Sequence, residues 1–455
     1  MGDESYSRRK YIAAVSALAA TGAAGCLGGL GGGNGNGSDG SNGSNGSNGS
    51  DGSGGSNNNA VSVWTDAWDS DAGELQQLIR DNTDVDVEFT DMRYDNIKQK
   101  FLTGGDTGTP DVAEATPNHR GDYVSAELIE PMTDRVEGLD YSDGYIGLDA
   151  MRYQDDIWAL PYIGNGRGMV YRKDIFEEYG GLPDNWSEFL EVCSSITADQ
   201  DGMHGFTITS QKGNTRMLQE FISFLYQRVD RIFETDGNGG WSLAVSEEDL
   251  GQVFKQYYWD PFFKHDPPAT NPDARGIGSL EHDIAYVNGN YASVSTGPWV
   301  PGVAQNSENS NSEAMQNYRN SAATHNPRIE GGEIGTYREV KPIFMNTHSD
   351  NKEASWQVIK TGTSPEGIRA YLNDYPGNLP AHEDVEWKVP EDTDNPDWAG
   401  FQEVFESGTT YGFWSVSQIS STFFDLSQAV IYDETDPMDA GTELHQAWSE
   451  KAGEI

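Results

Sequence analysis

The chain has 455 residues, with 29 Lys and Arg against 73 Asp and Glu, for a formal net charge of −44. Such a surface repels phosphate backbones and anionic headgroups, which excludes nucleic acid and an anionic lipid surface as partners. Self-repulsion of this size is tolerable where salt screens it, because the Debye length falls to about 3 Å at 1 M, so the composition reads as halophilic.

The chain opens with Arg8, Arg9 and Lys10 before the weakly apolar run Tyr11 to Gly25. That run is shorter than the roughly 20 apolar residues of a spanning helix, and it matches the charged lead and short apolar core of an export signal. Arg8-Arg9 resembles a twin-arginine signal. "AAGC" at 23–26 resembles a lipobox, with Cys26 as the lipid-bearing first residue and Ala23 where a bulkier residue is usual. Residues 27–59 are almost entirely Gly, Ser and Asn and are expected to form a flexible tether. They carry Asn-x-Ser sites at Asn36, Asn42, Asn45 and Asn48. The expectation is a signal at 1–26, a tether at 27–59 and a globule lipid-anchored on the extracellular face of the cell membrane. Residues 60–455 are long enough for two lobes. Cys193 is the one cysteine of that globule, so no intrachain disulfide is expected.

Along the globule, Val61 and Val63 alternate in a first strand that ends at Trp64 and a polar turn. Residues 71–83 form an amphipathic helix with Leu75, Leu78 and Ile79 on one stripe. "VDVEFTDM" (85–92) is a second strand, and 93–117 gives a helix, a Gly/Pro break and a third strand around Val112. A short helix follows in 119–132. This rhythm predicts an α/β domain with a mostly parallel sheet. "GMVYRKDIF" runs from strand into helix, and Asn185 with Glu188 marks a helix start. That helix places Trp186, Phe189, Leu190, Cys193 and Ile196 on one face, which makes Cys193 a buried hydrophobe. Residues 199–209 read as a turn and strand, 214–229 as a helix, and 246–263 as a helix stopped near Pro261. Residues 281–302 read as a helix or strand entering a Gly-Pro turn, and 307–322 as a polar insertion. A helix pair at 349–374, an irregular 377–385 and two helices split by an acidic turn complete the chain.

Taken in order, "VSVWTDAW", "KQKFLTGGDTGTPDV", "DIWALPYIGNGRGMVYRKDIFEEYGGLPDNWSEFLEVC", "DGMHGF", "GNYASVSTGPWVPG", "NKEASWQVIK" and "GNLPA" resemble the extracellular solute-binding proteins of ABC importers, in the sugar-type, maltose-binding-protein-like branch. "EVKPIFMNT" (339–347) departs from a Gly-rich lead-in common in that family and leaves the local strand register open. The resemblance implies a haloarchaeal lipoprotein with the two-lobe periplasmic-binding-protein-like α/β fold. Its lobes would be discontinuous, 60–163 with 331–377 and 164–325 with 384–455, and a cleft would lie between them. It implies a monomer that takes a carbohydrate and delivers it to ABC permease subunits, with no catalysis, cofactor or metal.

Sugars present apolar C–H faces that stack on aromatic rings and hydroxyl edges that suit planar hydrogen-bonding groups. Such groups converge at the ends of strands in open α/β sheets. Trp64, Asp66 and Trp68 follow the first strand, although alternation equally places Trp64 in the core. Asn118 and His119 follow the third strand, in what the resemblance marks as a ligand loop. Tyr162 and Asn165 lie in "PYIGNGRG", where the maltose-binding branch places a carboxylate. Arg167 either joins them or pairs with a carboxylate. Trp299 follows a Gly-Pro turn that the resemblance makes the aromatic wall of the second lobe, and Trp414 or Phe413 is a last platform in the aromatic stretch 409–424. The open alternatives are a polyamine, another organic solute, or ferric ion held by Tyr257 and Tyr258. No nucleophile elbow, zinc-protease motif, P-loop or dinucleotide fingerprint appears.

Overall fold

The computed structural model describes residues 60–65, 73–92, 94–115, 119–235, 240–305, 312–374, 377–389, 395–412 and 416–452. Thirteen strands are assigned among them: β1 Val61–Thr65, β2 Val87–Asp91, β3 Val112–Glu114, β4 Arg152–Tyr153, β5 Asp156–Ile157, β6 Leu160–Gly166, β7 Gly168–Arg172, β8 Phe233–Thr235, β9 Trp241–Leu243, β10 Ser293–Thr296, β11 Ser321–Thr324, β12 Arg338–Met345 and β13 Leu379–Pro380. The larger sheet runs β13-β6-β12-β3-β1-β2 and the smaller β10-β7-β11, while β4-β5 and β8-β9 are separate hairpins.

The larger sheet is mixed, which corrects the expectation of a mostly parallel one. β2 and β3 pair parallel to β1. β12 arrives from far along the chain and pairs antiparallel with both β3 and β6, and β13 is antiparallel to β6. The smaller sheet is antiparallel throughout. The local strand-helix rhythm describes only the β1 to β3 side, because strand direction on the other side is set by a segment some 180 residues away. In the stretch whose register the sequence left open, Glu339 lies opposite Asn165 and Ile343 opposite Glu114.

Burial follows the sequence pattern closely. β1 alternates, with Val61, Val63 and Thr65 enclosed and Ser62 and Trp64 partly exposed. The helix Gly73–Asp81 buries Leu75 and Ile79, one turn apart on its inner face. All seven residues of β6 are buried, as expected of a strand covered on both faces. Gly164 is needed there, since a Cβ would stand 2.2 Å from the Glu339 carbonyl oxygen.

Two hydrophobic clusters result. One surrounds the larger sheet and continues onto one face of the smaller sheet through Val170, Val294 and Ala323. The other covers the opposite face through Met169, next to Val170, as the two-residue strand period requires. In the second cluster Asn185 accepts from the Glu188 backbone N–H at 2.9 Å and caps the helix Trp186–Asp199. Trp186, Phe189, Leu190, Cys193 and Ile196 are buried along it, and the Trp186 indole donates to the Gln256 carbonyl at 2.6 Å. Burial raises the Cys193 thiol well above its usual value.

Three local expectations change. Residues 199–209 form no strand, only bridges from His204 to Tyr291 and from Thr207 to Val294. The helix beginning at Glu247 does not stop at Pro261. It widens into a π-turn over Phe254–Trp259, and Pro261 begins a last short segment, Asp260–Phe263, where its missing N–H costs little. The polar insertion contains a helix, Ser312–Arg319.

Candidate ligand-binding site

β6 belongs to the larger sheet and β7 to the smaller, and a single residue, Arg167, separates them. Its backbone N–H donates to the Tyr337 carbonyl at 3.2 Å, and its carbonyl accepts from Asn326 Nδ2 at 3.3 Å. The crossing is therefore pinned by neighbouring chain on both sides. The side chain is 4 % exposed. One guanidinium nitrogen donates to Asn165 Oδ1 at 2.7 Å, and the other donates to Gln219 Oε1 and lies 3.5 Å from Glu339 Oε2. Its Nε is buried and has no hydrogen-bond partner among the described residues. Burial lowers the Arg167 pKa, and the neighbouring Glu339 acts against that shift.

The guanidinium carbon of Arg167 lies 4.8 Å from the centroid of the Trp299 ring. Trp299 follows β10 by way of Gly297 and Pro298, and is only partly buried while its neighbours are enclosed. A Cβ on Gly297 would fall 2.0 Å from the Trp299 ring, so only glycine lets the ring fold back over the turn. Trp398 fixes the turn from outside, its indole donating to the Pro298 carbonyl at 3.1 Å.

A second group of buried charges adjoins the ring. Arg216, near the start of the helix Thr215–Leu225, holds Asp283 through two nitrogens at 2.8 and 3.1 Å, and its Nε lies 3.1 Å from Glu220. The same guanidinium lies 5.1 Å from the Trp299 centroid. Gln219 is carried on that helix and Glu339 on β12, so the group is assembled from both sheets and a helix. It combines an accessible aromatic ring with a guanidinium, two amides and a carboxylate. This set is suited to gripping a polyol, and it holds no nucleophile activated by a neighbouring base.

The model of the bacterial extracellular solute-binding protein family matches residues 66–368. The chain belongs to this family. A lactose-binding protein of Rhizobium radiobacter is 20% identical over 263 residues, covering 54% of this chain and 57% of that protein. The matched stretch thus spans little more than half of that relative. The GacH receptor of Streptomyces glaucescens superposes with a TM-score of 0.67 at 18% identity, over 87% of this chain and 98% of that one. A Thermus thermophilus maltotriose-binding protein gives 0.62 at 18% identity, over 86% and 100%. The maltose-bound MalE3 of T. maritima gives 0.67 at 17%, over 85% and 98%. The fold is the two-lobed one of maltose-type binding proteins, and family and fold are those of binding proteins rather than enzymes.

In this solute-binding protein, Asn165 and Trp299 are brought together through Arg167. Trp64 lies on the partly exposed face of β1, against the first hydrophobic cluster. Tyr162 is wholly enclosed, its ring edge-on to Tyr371 at 5.8 Å. His119 is 4 % exposed and packs against Tyr123. Burial, with Lys98 nearby, pushes its pKa down to about 3. Asp66, Trp68, Asn118, Phe413, Trp414 and Cys26 lie outside the described residues. The tyrosine pair of the ferric-ion alternative is enclosed, with Tyr257 donating to Glu220 at 2.6 Å and Tyr258 to the Met217 carbonyl at 2.8 Å.

Sequence reasoning weighed Arg167 and missed Gln219, Glu339, Arg216 and Asp283. A usable signal existed for two of them. Glu339 sits between Arg338 and Val340 at the head of a strand that ends apolar, and Arg216 stands one turn before Glu220 on a helix whose other faces are apolar.

Proposed function

We propose that this protein binds a carbohydrate between its two lobes and hands it to the membrane permease of an ABC importer. The observation that carries this reading is the partly exposed Trp299 ring beside Arg167, Asn165, Gln219 and Glu339. A sugar stacked on the ring would meet planar donors and acceptors at its edge. The relatives' ligands, lactose and maltotriose among them, favour an oligosaccharide. The two sheets support a two-lobe division near the proposed 60–163 with 331–377 and 164–325 with 384–455; the larger sheet keeps β6 to Gly166 and β13 at Leu379–Pro380, so one crossing falls at Arg167. Asp66, Trp68, Asn118 and Trp414 are proposed as further ligand contacts.

Export in the folded state through Arg8-Arg9 and lipid anchoring at Cys26 complete the proposal. A tethered monomer at the extracellular face, in high salt, accounts for the Gly/Ser/Asn segment and for the charge of −44. The mass of the protein recovered from a membrane fraction tests the anchor: a lipid-modified Cys26 is expected, and a freely soluble form starting beyond it overturns that part.

The binding reading is tested by thermal-shift screening of mono- and oligosaccharides in molar salt, followed by calorimetry. At least one saccharide is expected to stabilise the protein, and Trp299→Ala to bind it at least tenfold more weakly while remaining folded. Stabilisation by none of them, or unchanged affinity in the variant, overturns the assignment.

A further inference from the structure

The indole N–H of Trp299 donates to Asp283 Oδ2 at 2.9 Å. Asp283 is 1 % exposed and lies on the helix Ser279–Val287, sixteen residues before the ring it holds. Its other oxygen accepts from Thr296 Oγ1 at 2.8 Å, and Arg216 grips both oxygens. Thr296 also accepts from Arg216, which closes a ring of contacts around the carboxylate. Burial is the largest single influence and would raise the Asp283 carboxyl, but Arg216 and the adjacent His282 together outweigh it and hold the carboxyl well below the usual carboxylate range. The acceptor facing the indole is therefore an anion with no freedom to turn.

We infer that Asp283 is a positioning residue for ligand binding: it fixes the Trp299 ring, through its indole N–H, in the orientation that forms the aromatic wall of the cleft. The inference rests on the reading of Trp299 as a ligand platform. A partly exposed tryptophan on a short turn has two soft side-chain torsions and would otherwise populate several rotamers. Ordering such a side chain at the moment of binding costs affinity, and ordering it beforehand removes that cost. A hydrogen bond to an ionised acceptor is stronger than one between neutral groups. Gly297 leaves the space for this rotamer, and Asp283 selects it. Asp283 itself need not touch the sugar.

The experiment uses the full chain with its tryptophan indoles labelled with nitrogen-15, the Trp299 signal being identified by its loss in Trp299→Phe. In the unsubstituted protein the Trp299 indole N–H is expected to exchange with deuterium at least tenfold more slowly than an open indole. In Asp283→Asn this protection should fall at least tenfold. The indoles of Trp186 and Trp448, which donate to the carbonyls of Gln256 and Ile419, should keep theirs. A fast Trp299 signal in the unsubstituted protein overturns the inference. So does an unchanged one in Asp283→Asn, or equal loss at all three tryptophans. Should Asp283→Asn fail to fold, Asp283→Glu keeps the charge opposite Arg216 and displaces the carboxylate by one methylene, and the same readout applies. With maltotriose as probe, calorimetry should show Asp283→Asn weakening binding at least fivefold in the native background and not in the Trp299→Phe background. An equal loss in both backgrounds indicates a general structural role and overturns the inference. Failure of the unsubstituted protein to bind any saccharide speaks against the ligand reading, and the exchange result then decides the positioning role by itself.

Discussion

Tyr153 and Trp241 lie ring over ring, their centroids 6.1 Å apart and their planes 8° from parallel. Tyr153 is on the β4-β5 hairpin, whose Ile157 enters the first hydrophobic cluster. Trp241 is on the β8-β9 hairpin, which packs against the second. The stack thus joins two separately built parts of the molecule. Such a pair contributes about 0.5–1.5 kcal/mol beyond the area it buries. Trp241→Ala is expected to weaken saccharide binding by about 2- to 10-fold, because closure around the sugar loses this contact. Both rings are partly exposed, so the melting temperature should stay within a few degrees. Calorimetry with unchanged affinity would remove the pair from any role in closure.

Arg167 reaches Asn165, Gln219, Glu339 and the Trp299 face at once because its guanidinium is planar and forked. Lysine keeps the charge and loses the fork. Arg167→Lys should lower saccharide affinity by tenfold or more, the effect of one charged hydrogen bond of about 1.5–3 kcal/mol. Affinity within twofold of the unsubstituted protein would show that charge alone suffices at this crossing.

His119 carries a signed pH prediction. Burial holds its pKa at about 3, so the folded protein keeps the imidazole neutral over a range where the unfolded chain takes up a proton. The unfolded state binds more protons between about pH 6.5 and 3, and stability contributed by this group falls as pH falls through that window. Below it there is no further loss. His119→Gln should lose less stability than the unsubstituted protein between pH 7.5 and 4.5. Denaturant midpoints at the two values, in the same molar salt, make the comparison. Equal slopes for the two proteins would contradict a neutral buried His119.

Elements governed by local chemistry were readable in advance. Asn185 announces its helix because an amide oxygen three residues before Glu188 satisfies a free N–H, and the alternation of Val61 and Val63 announces β1. Asn165 and Trp299 stood out in the sequence as candidates, Asn165 through its place in the family resemblance and Trp299 because a Gly-Pro turn lets the chain approach closely. Asp283 was not. Among 73 acidic residues nothing marks one carboxylate until the fold brings Arg216 and Trp299 to it from opposite directions along the chain. The same holds for β12, whose direction follows from the sheet it joins.

The enclosure of Cys193 has a practical side. Its thiol lies 4.0 Å from Ser293 Oγ with no exposure to solvent, and burial keeps it protonated. A maleimide or an aromatic disulfide reagent should leave it untouched in the native protein and reach it only on unfolding, with the rate of global opening. Once Cys26 is replaced by serine, cysteines introduced at exposed positions on the β4-β5 and β8-β9 hairpins become the only sites a dye or spin label can find. The distance between those two labels, with and without sugar, then reports lobe movement against a silent background.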